Sequence, residues 1–293
     1  MTHFVQTVLL GLLIGGVYAL LASGLTLIFG VMRIINVAHG AFLVLAALFT
    51  FELWRRLGID PLLAILITTP AMFAVGWLVY QALIARIRTA PVSMSVILTF
   101  AIAVTIEGIM GMTWRNVFRS VTPGYYNESF HIGSFFLPKG QVFGGAAAIV
   151  VLAALYLLLT RTWAGRAIRG ASENPEGAQL VGVDIRALAA LTFAIGVATT
   201  GAGGSILAVI YTFFPATHYL WISRTLGIVV LGGMGSLPGA VMGALILGVA
   251  EALTSTYVGT RWAVVVFYVV ILVVLLVRPQ GLMGSRIRQD VVA

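Results

Sequence analysis

The sequence predicts an all-α polytopic membrane protein, and three observations carry that expectation. Of its 293 residues, 60% are hydrophobic and only 9% are charged, too few polar side chains to coat a soluble surface of this size. Apolar runs long enough to cross roughly 30 Å of hydrocarbon at about 1.5 Å per residue recur from end to end. One long polar segment, Arg161 to Arg186 (RTWAGRAIRGASENPEGAQLVGVDIR), interrupts them and needs an aqueous partner.

Because unpaired backbone groups are costly in lipid, the apolar runs are expected as helices. Spans are read near 6–29, 40–54, 62–84, 93–112, 142–160, 187–211, 224–256 and 261–277, with eight segments as the minimum. The N-terminus, MTHFVQTVLL, lacks a basic n-region, and the apolar run it opens exceeds a signal peptide's h-region without an A-x-A-like cleavage site, so the first span reads as a retained helix. It is open to an internal break. The stretch 224–256 is too long for one helix and holds Gly232, Gly233, Gly235, Pro238 and Gly239. These divide it into a half-helix, a break and a full helix. The chain 1–293 reads as one transmembrane domain, with an external loop at 113–141 that carries Tyr125, Tyr126, Asn127, His131 and Pro138.

Orientation rests on short-loop arginines. Arg86 and Arg88, then Arg161, Arg166, Arg169 and Arg186, then Arg278, Arg286 and Arg288 in the tail form the expected cytoplasmic face. Arg55, Arg56, Arg115, Arg119, Lys139 and Arg261 then lie outside. Parity is taken to agree: one span over 62–84, two between 88 and 161, and an odd net number of crossings after 186. The net charge of +8 is thus mostly topological, and no basic face outside the spans offers a nucleic-acid surface. With no cysteine, the chain has no disulfide, thiolate metal site or cysteine nucleophile.

A faint parallel repeat organises the two halves. Setting Gly40 against Gly239 aligns Ala41 with Ala240, Leu48 with Leu247 and Glu52 with Glu251, and each helix is followed by one ending at Arg86 or Arg278. Chance similarity among Leu, Ala and Gly is the alternative. A true duplication would place a solute path between two equivalent broken helices.

Within the polar segment, Arg161 to Gly170 is a basic juxtamembrane stretch with Trp163 as an interface anchor. A helix start follows: Ser172 or Asn174 can cap it, Pro175 suits its first turn, and Glu173 and Glu176 lie near the positive end of its dipole. Gly177, Ala178, Leu180, Val181 and Gly182 complete a helix of about two turns over 173–182. So short a helix is marginal alone and gains order by docking into a groove.

Intramembrane polar residues cost roughly 2.5–3.5 kcal/mol at a helix centre, so they turn toward protein or water. Asn36 and His39 lie at the first break, where they either line a path or fix the backbone. Glu107 reads as a gate or a subunit-interface hydrogen bond. Glu52, with Arg55 and Arg56 three and four positions on, reads as a helical ion pair. Glu251 has no comparable neighbour, and an interhelical hydrogen bond is preferred there to solute contact. Gly233, Gly235 and Ser236 resemble a phosphate loop only superficially, since no lysine adjoins them; a break that opens backbone groups to a wet cavity fits better. Gly196, Gly201, Gly203, Gly204, Ser205 and the pair Gly239 and Gly243 read as close helix packing. Tyr211, Phe213, Phe214, Tyr219 and Trp221 read as an external aromatic belt.

Two other classes are weighed. A secondary carrier or channel would use the same broken helices without a docking segment. An enzyme needs a convergent catalytic set, yet His39, Glu107 and Glu251 fall on three segments without a metal-ligand cluster.

Four stretches together carry a family resemblance: GGVYALLASGLTLIFGVMRIINVAHGAF (15–42), GRAIRGASENPEGAQLVGVD (165–184) followed by ALTFAIGVATTGAGG, VLGGMGSLPGAVMGALILGVAEAL (230–253), and RPQGLMG (278–284). Over essentially its whole length the chain resembles the membrane permeases of branched-chain amino acid ABC importers, of the LivH type. The resemblance implies a multi-pass protein of the bacterial inner membrane, surrounded by lipid and paired with a second, LivM-like permease. It also implies two cytoplasmic ATP-binding subunits that carry ATP and Mg, and an external solute-binding protein. It makes 161–186 a coupling loop, with Glu173, Asn174, Pro175, Glu176, Gly177, Ala178, Leu180 and Gly182 seated on an ATPase. Asn36, His39, Glu107, Gly233, Gly235, Ser236 and Glu251 become candidates for the translocation path. No cofactor or metal is expected in this chain: a G-x-x-x-x-G-K-[ST] loop is absent and Lys139 is its one lysine. Permeases of this architecture are also associated with urea, short amides and other amino acids.

Overall fold

The computed structural model describes residues 2–87 and 91–284; Arg88, Arg286 and Arg288, assigned to the basic face, lie outside the described residues. In chain order the helices are α1 (Thr2–Met32), α2 (His39–Leu57), α3 (Pro61–Ala82), α4 (Val92–Trp114), α5 (Lys139–Arg161), α6 (Trp163–Glu173), α7 (Pro175–Leu180), α8 (Ile185–Ile210), α9 (His218–Gly232), α10 (Leu237–Tyr257) and α11 (Thr260–Val277). Seven of them, α1, α3, α4, α5, α8, α10 and α11, are long and apolar enough to cross a membrane. The protein is a multi-pass, all-α membrane protein.

Two contacts fix the ends of the bundle. Gln6 at the start of α1 donates to the carbonyl of Phe136 at 3.0 Å. At the other end of α1, a Cβ placed on Gly30 would stand 3.6 Å from Gly235 and 3.9 Å from Ser172 of α6. The first contact lies on the loop 113–141, the second on the polar segment 161–186, so the two are at opposite ends as expected.

The loop 113–141 contains an unforeseen two-stranded hairpin. Strands β1 (Ser129–Ile132) and β2 (Phe135–Pro138) pair antiparallel, turning at Gly133 with φ +60°, a conformation that suits glycine. Glu128 and Lys139 form an ion pair at its base. Asp60 caps α3 by accepting from Leu62 N at 2.8 Å and also receives the Tyr125 hydroxyl at 3.3 Å. Burial, together with the Asp60 charge, pushes the Tyr125 phenol above its ordinary range.

The first apolar run is a single unbroken helix, and the break falls after it. The chain leaves α1 through Arg33 and starts α2 at His39, whose Nε2 lies 3.0 Å from the carbonyl of Leu21. Leu21 is eleven residues, about 16 Å, from the end of α1, so α2 begins deep inside the bundle. Its first turn is locked by absence of a side chain: a Cβ on Gly40 would meet the His218 carbonyl at 2.5 Å and Ile222 Cβ at 2.9 Å. Helix α9 therefore starts beside the start of α2. The two run to opposite ends, α2 toward the hairpin and α9 toward α6. Neighbouring helices satisfy the backbone freed at such breaks; here Thr99 Oγ1 of α4 accepts from Val37 N and donates to the Ile35 carbonyl, each at 3.1 Å.

The stretch 224–256 divides as foreseen, although its first helix begins at His218 rather than Arg224. With α9 counted as a crossing in its own right, α8 to α11 make four passes after 186. That even number, not the odd one expected, returns Arg278 to the α6 end. In the proposed repeat, α2 and α10 run in the same direction and α3 and α11 follow them, but α2 starts at mid-depth and α10 at the α6 end.

Helix α8 is the buried axis, and its small residues set its distance from three neighbours. A Cβ on Gly196 would meet Ile28 of α1 at 2.6 Å, on Gly201 the Thr68 carbonyl of α3 at 2.6 Å, and on Gly204 Ala46 of α2 at 2.6 Å. Ser205 ties the last two neighbours together, lying 2.8 Å from Thr50 Oγ1 and 2.8 Å from Thr68 Oγ1.

Candidate functional site

The polar segment is built from two helices rather than one. Thr162 caps α6 by accepting from Gly165 N at 3.0 Å, and Ala167, Ile168 and Ala171 bury its apolar face. Asn174 ends α6 and caps α7, its Oδ1 accepting from Gly177 N at 2.9 Å. Of the two capping residues considered, Asn174 serves; Ser172 instead donates to the Arg169 carbonyl within α6 at 2.8 Å. Pro175 opens α7 and Glu176 sits in its first turn, where its charge complements the dipole. Glu173 does not: it is the last residue of α6, at the opposite pole. The short helix spans Pro175–Leu180 rather than 173–182, and Gly182, at φ +84°, forms the turn beyond it.

This pair of helices leaves an apolar tip and a groove uncovered. Leu180 and Val181 are 89% and 80% exposed, at the tip of α7. Between α6 and α7 lies a groove of about 420 Å³, lined by Trp163, Arg166, Gly170, Asn174, Ala178 and Val183. An apolar tip this exposed, on a helix this short, wants a partner surface.

The path candidates are distributed over the bundle rather than gathered. Asn36 is fully buried, and neither its amide nitrogen nor its oxygen has a hydrogen-bond partner among the described residues. His39 is held through Nε2 by Leu21, and its Nδ1 is unpaired among the described residues. Both lie inside this subunit, at the start of α2. Gly233, Gly235 and Ser236 form the turn between α9 and α10 at the α6 end of the bundle. Gly233 and Gly235 adopt φ of +101° and +86°, and Ser236 caps α10 by accepting from Gly239 N at 3.2 Å. The stretch 278–284 clasps this turn, with Leu282 N donating to the Leu231 carbonyl at 2.8 Å and Met283 N to that of Gly232 at 3.0 Å. Gly233 is accordingly packed against protein, while Gly235 is exposed.

Glu251 does make an interhelical hydrogen bond, receiving the Tyr18 hydroxyl at 2.7 Å. It also has the cation that seemed missing: Arg224 of α9 lies 2.9 Å from its Oε1. Arg224 donates to Tyr18 as well, at 2.5 Å, and its guanidinium stacks over Tyr18, Trp221 and Phe267. Glu107 receives the Tyr219 hydroxyl at 2.9 Å and lies 3.1 Å from His218 Nε2. Arg224, Tyr18, His218 and Tyr219 were not singled out for these roles from sequence. The signal present was PATHY, a proline turn followed by two polar aromatics inside apolar chain. Glu52 pairs with Arg55 and Arg56 at 3.0 and 2.6 Å as foreseen, and also receives Trp114 Nε1 at 2.9 Å. The external aromatic belt is corrected: Phe213 and Trp221 are buried, and of the five only Tyr219 is fully at the surface.

A family model described as branched-chain amino acid transport system / permease component matches residues 7–275. The high-affinity branched-chain amino acid permease protein LivH of Salmonella typhimurium is 30% identical over 301 aligned positions, 96% of each chain. The corresponding BraD protein of Pseudomonas aeruginosa is 29% identical over the same shares. A probable LivH of Methanocaldococcus jannaschii is 30% identical over 90% of this chain and 88% of its own. No solved structure matches. The chain belongs to the family of branched-chain amino acid transport system permease components.

Proposed function

We propose that this chain is the permease subunit of an ATP-driven importer of branched-chain amino acids in the inner membrane, with the α6 and α7 end in the cytoplasm. One observation carries the reading: a two-helix projection with an exposed apolar tip and a groove stands at the basic end of an otherwise lipid-suited bundle. One of two ATP-binding subunits, which hold ATP and Mg, docks on that projection. A second, LivM-like permease completes the path, and an external solute-binding protein delivers cargo at the hairpin end.

Force entering at α6 has a packed route inward. Ser172 of α6 approaches Gly30 of α1, Gly30 approaches Gly235 in the α9–α10 turn, and α9 runs from that turn to the buried start of α2. Displacing α6 and α7 therefore shifts α9, and alternating access follows from rocking packed elements about a fixed centre.

The test is reconstitution with the partner subunits and binding protein in proteoliposomes, reading leucine uptake and transport-coupled ATP hydrolysis. Proline at Ala178 or Gln179 is expected to abolish both at normal complex abundance. Persistence of both in those variants would remove the coupling role.

A further inference from the structure

Most polar side chains in the spans turn inward, but one face is different. On α9, Tyr219 and Ser223 are both exposed, four residues or about one turn apart, about 6 Å along the axis. Tyr219 and His218 both engage Oε2 of Glu107 on α4, at 2.9 and 3.1 Å. Both hydrogen bonds of Glu107 fall on Oε2, which leaves Oε1 without a partner among the described residues, and the side chain is 24% exposed. One turn along, Ser223 Oγ and Tyr268 Oη of α11 share a hydrogen bond of 2.8 Å on the surface. Glu107 lies seven residues, about 10 Å, inside the Trp114 end of α4. A carboxylate with an open oxygen and a row of exposed hydroxyls at that depth is costly against lipid, so this face meets water or protein.

We propose that this face of α4, α9 and α11 is a wall of the solute path, and that Glu107 Oε1 receives the ammonium group of a zwitterionic amino acid. In the Ser223–Tyr268 pair one hydroxyl donates to the other, which leaves one O–H to donate to the solute carboxylate. The charges are complementary: Glu107 offers an acceptor for the cationic end, and the hydroxyl pair, one turn beyond Tyr219 on α9, offers a donor for the anionic end. His218 and Tyr219 position the carboxylate by occupying its other oxygen. Val104 and Leu220, exposed beside Glu107 and Tyr219 on α4 and α9, offer apolar surface to the side chain. The proposal rests on the reading as an amino-acid permease and adds which residues meet the solute.

The chain contains no cysteine, so Ser223→Cys gives it a single thiol whose modification is read by mass on this subunit. In the full complex in proteoliposomes, a charged methanethiosulfonate is expected to modify this thiol, and leucine is expected to slow that reaction. A thiol that reacts with an apolar maleimide but not with the charged reagent faces lipid, and the proposal fails. Separately, Glu107→Gln is expected to lower leucine uptake about tenfold or more at unchanged abundance, with Glu107→Asp restoring part of it. Unchanged uptake in Glu107→Gln would overturn the ammonium assignment. If the unmodified complex moves no leucine, the functional reading fails, while the thiol chemistry still decides whether the face is wet.

Discussion

Arg224 and Glu251 show how a membrane protein holds charge away from lipid. Each is turned inward, their groups are 2.9 Å apart, and Tyr18 bonds both. Removing one partner leaves an uncompensated charge, at about 3–5 kcal/mol. Arg224→Leu is therefore expected to melt well below the parent in detergent, and Arg224→Leu with Glu251→Leu to recover much of the loss. A double variant no more stable than the single would show that the two residues are not coupled. Gly201→Ala is a second residue-scale case: its Cβ would come 2.6 Å from the Thr68 carbonyl and 2.7 Å from Thr69 Cα. Overpacking against backbone costs about 1–3 kcal/mol, so a lowered melting temperature is expected. Sequence showed that Glu251 needed a partner but not which one. Arg224 stands 27 positions upstream, and a helix drawn from 224 puts it at a membrane edge. Only the true start at His218 carries it inside. The packing glycines of α8 were legible, because small residues at helical spacing in apolar chain have few other uses.

At the scale of elements, α7 is the most exposed to small changes. Its six residues depend on the Asn174 cap, worth about 1 kcal/mol. Asn174→Ala is expected to reduce leucine uptake in the reconstituted complex with little change in melting temperature, because α7 contributes little to the core. Leu180→Asp is expected to weaken co-purification of the ATP-binding subunits, since Leu180 is at the exposed tip; undiminished recovery would place the contact elsewhere. The cap and the proline start of α7 could be read from residues 174 and 175. Helix α6 was read only as a basic stretch, although Ala164, Ala167, Ile168 and Ala171 repeat at helical spacing and its apolar side is buried. Its arginines obscured that pattern. The hairpin over 129–138 was likewise missed: SFHI and FFLP are too short to alternate, and only the Gly133 turn marks them.

For the whole molecule, the sequence conveyed the class and the two ends, because hydrophobic length and arginine placement are local properties. It counted at least eight spans where seven of the described helices are long and apolar enough to cross, α2 being the one over-counted. What it could not convey is depth. That α2 and α9 begin side by side in the interior follows from Gly40 against His218 and from His39 reaching Leu21, contacts between residues far apart in the chain. The account depends on sidedness, with α6 and α7 on the cytoplasmic face and the hairpin outside. The direct measurement uses the cysteine-free chain, with single thiols placed by Glu176→Cys and His131→Cys and an impermeant thiol reagent applied to spheroplasts. Labelling at position 131 in intact spheroplasts, and at 176 only after permeabilisation, is the predicted result. Labelling at 176 from outside would contradict it.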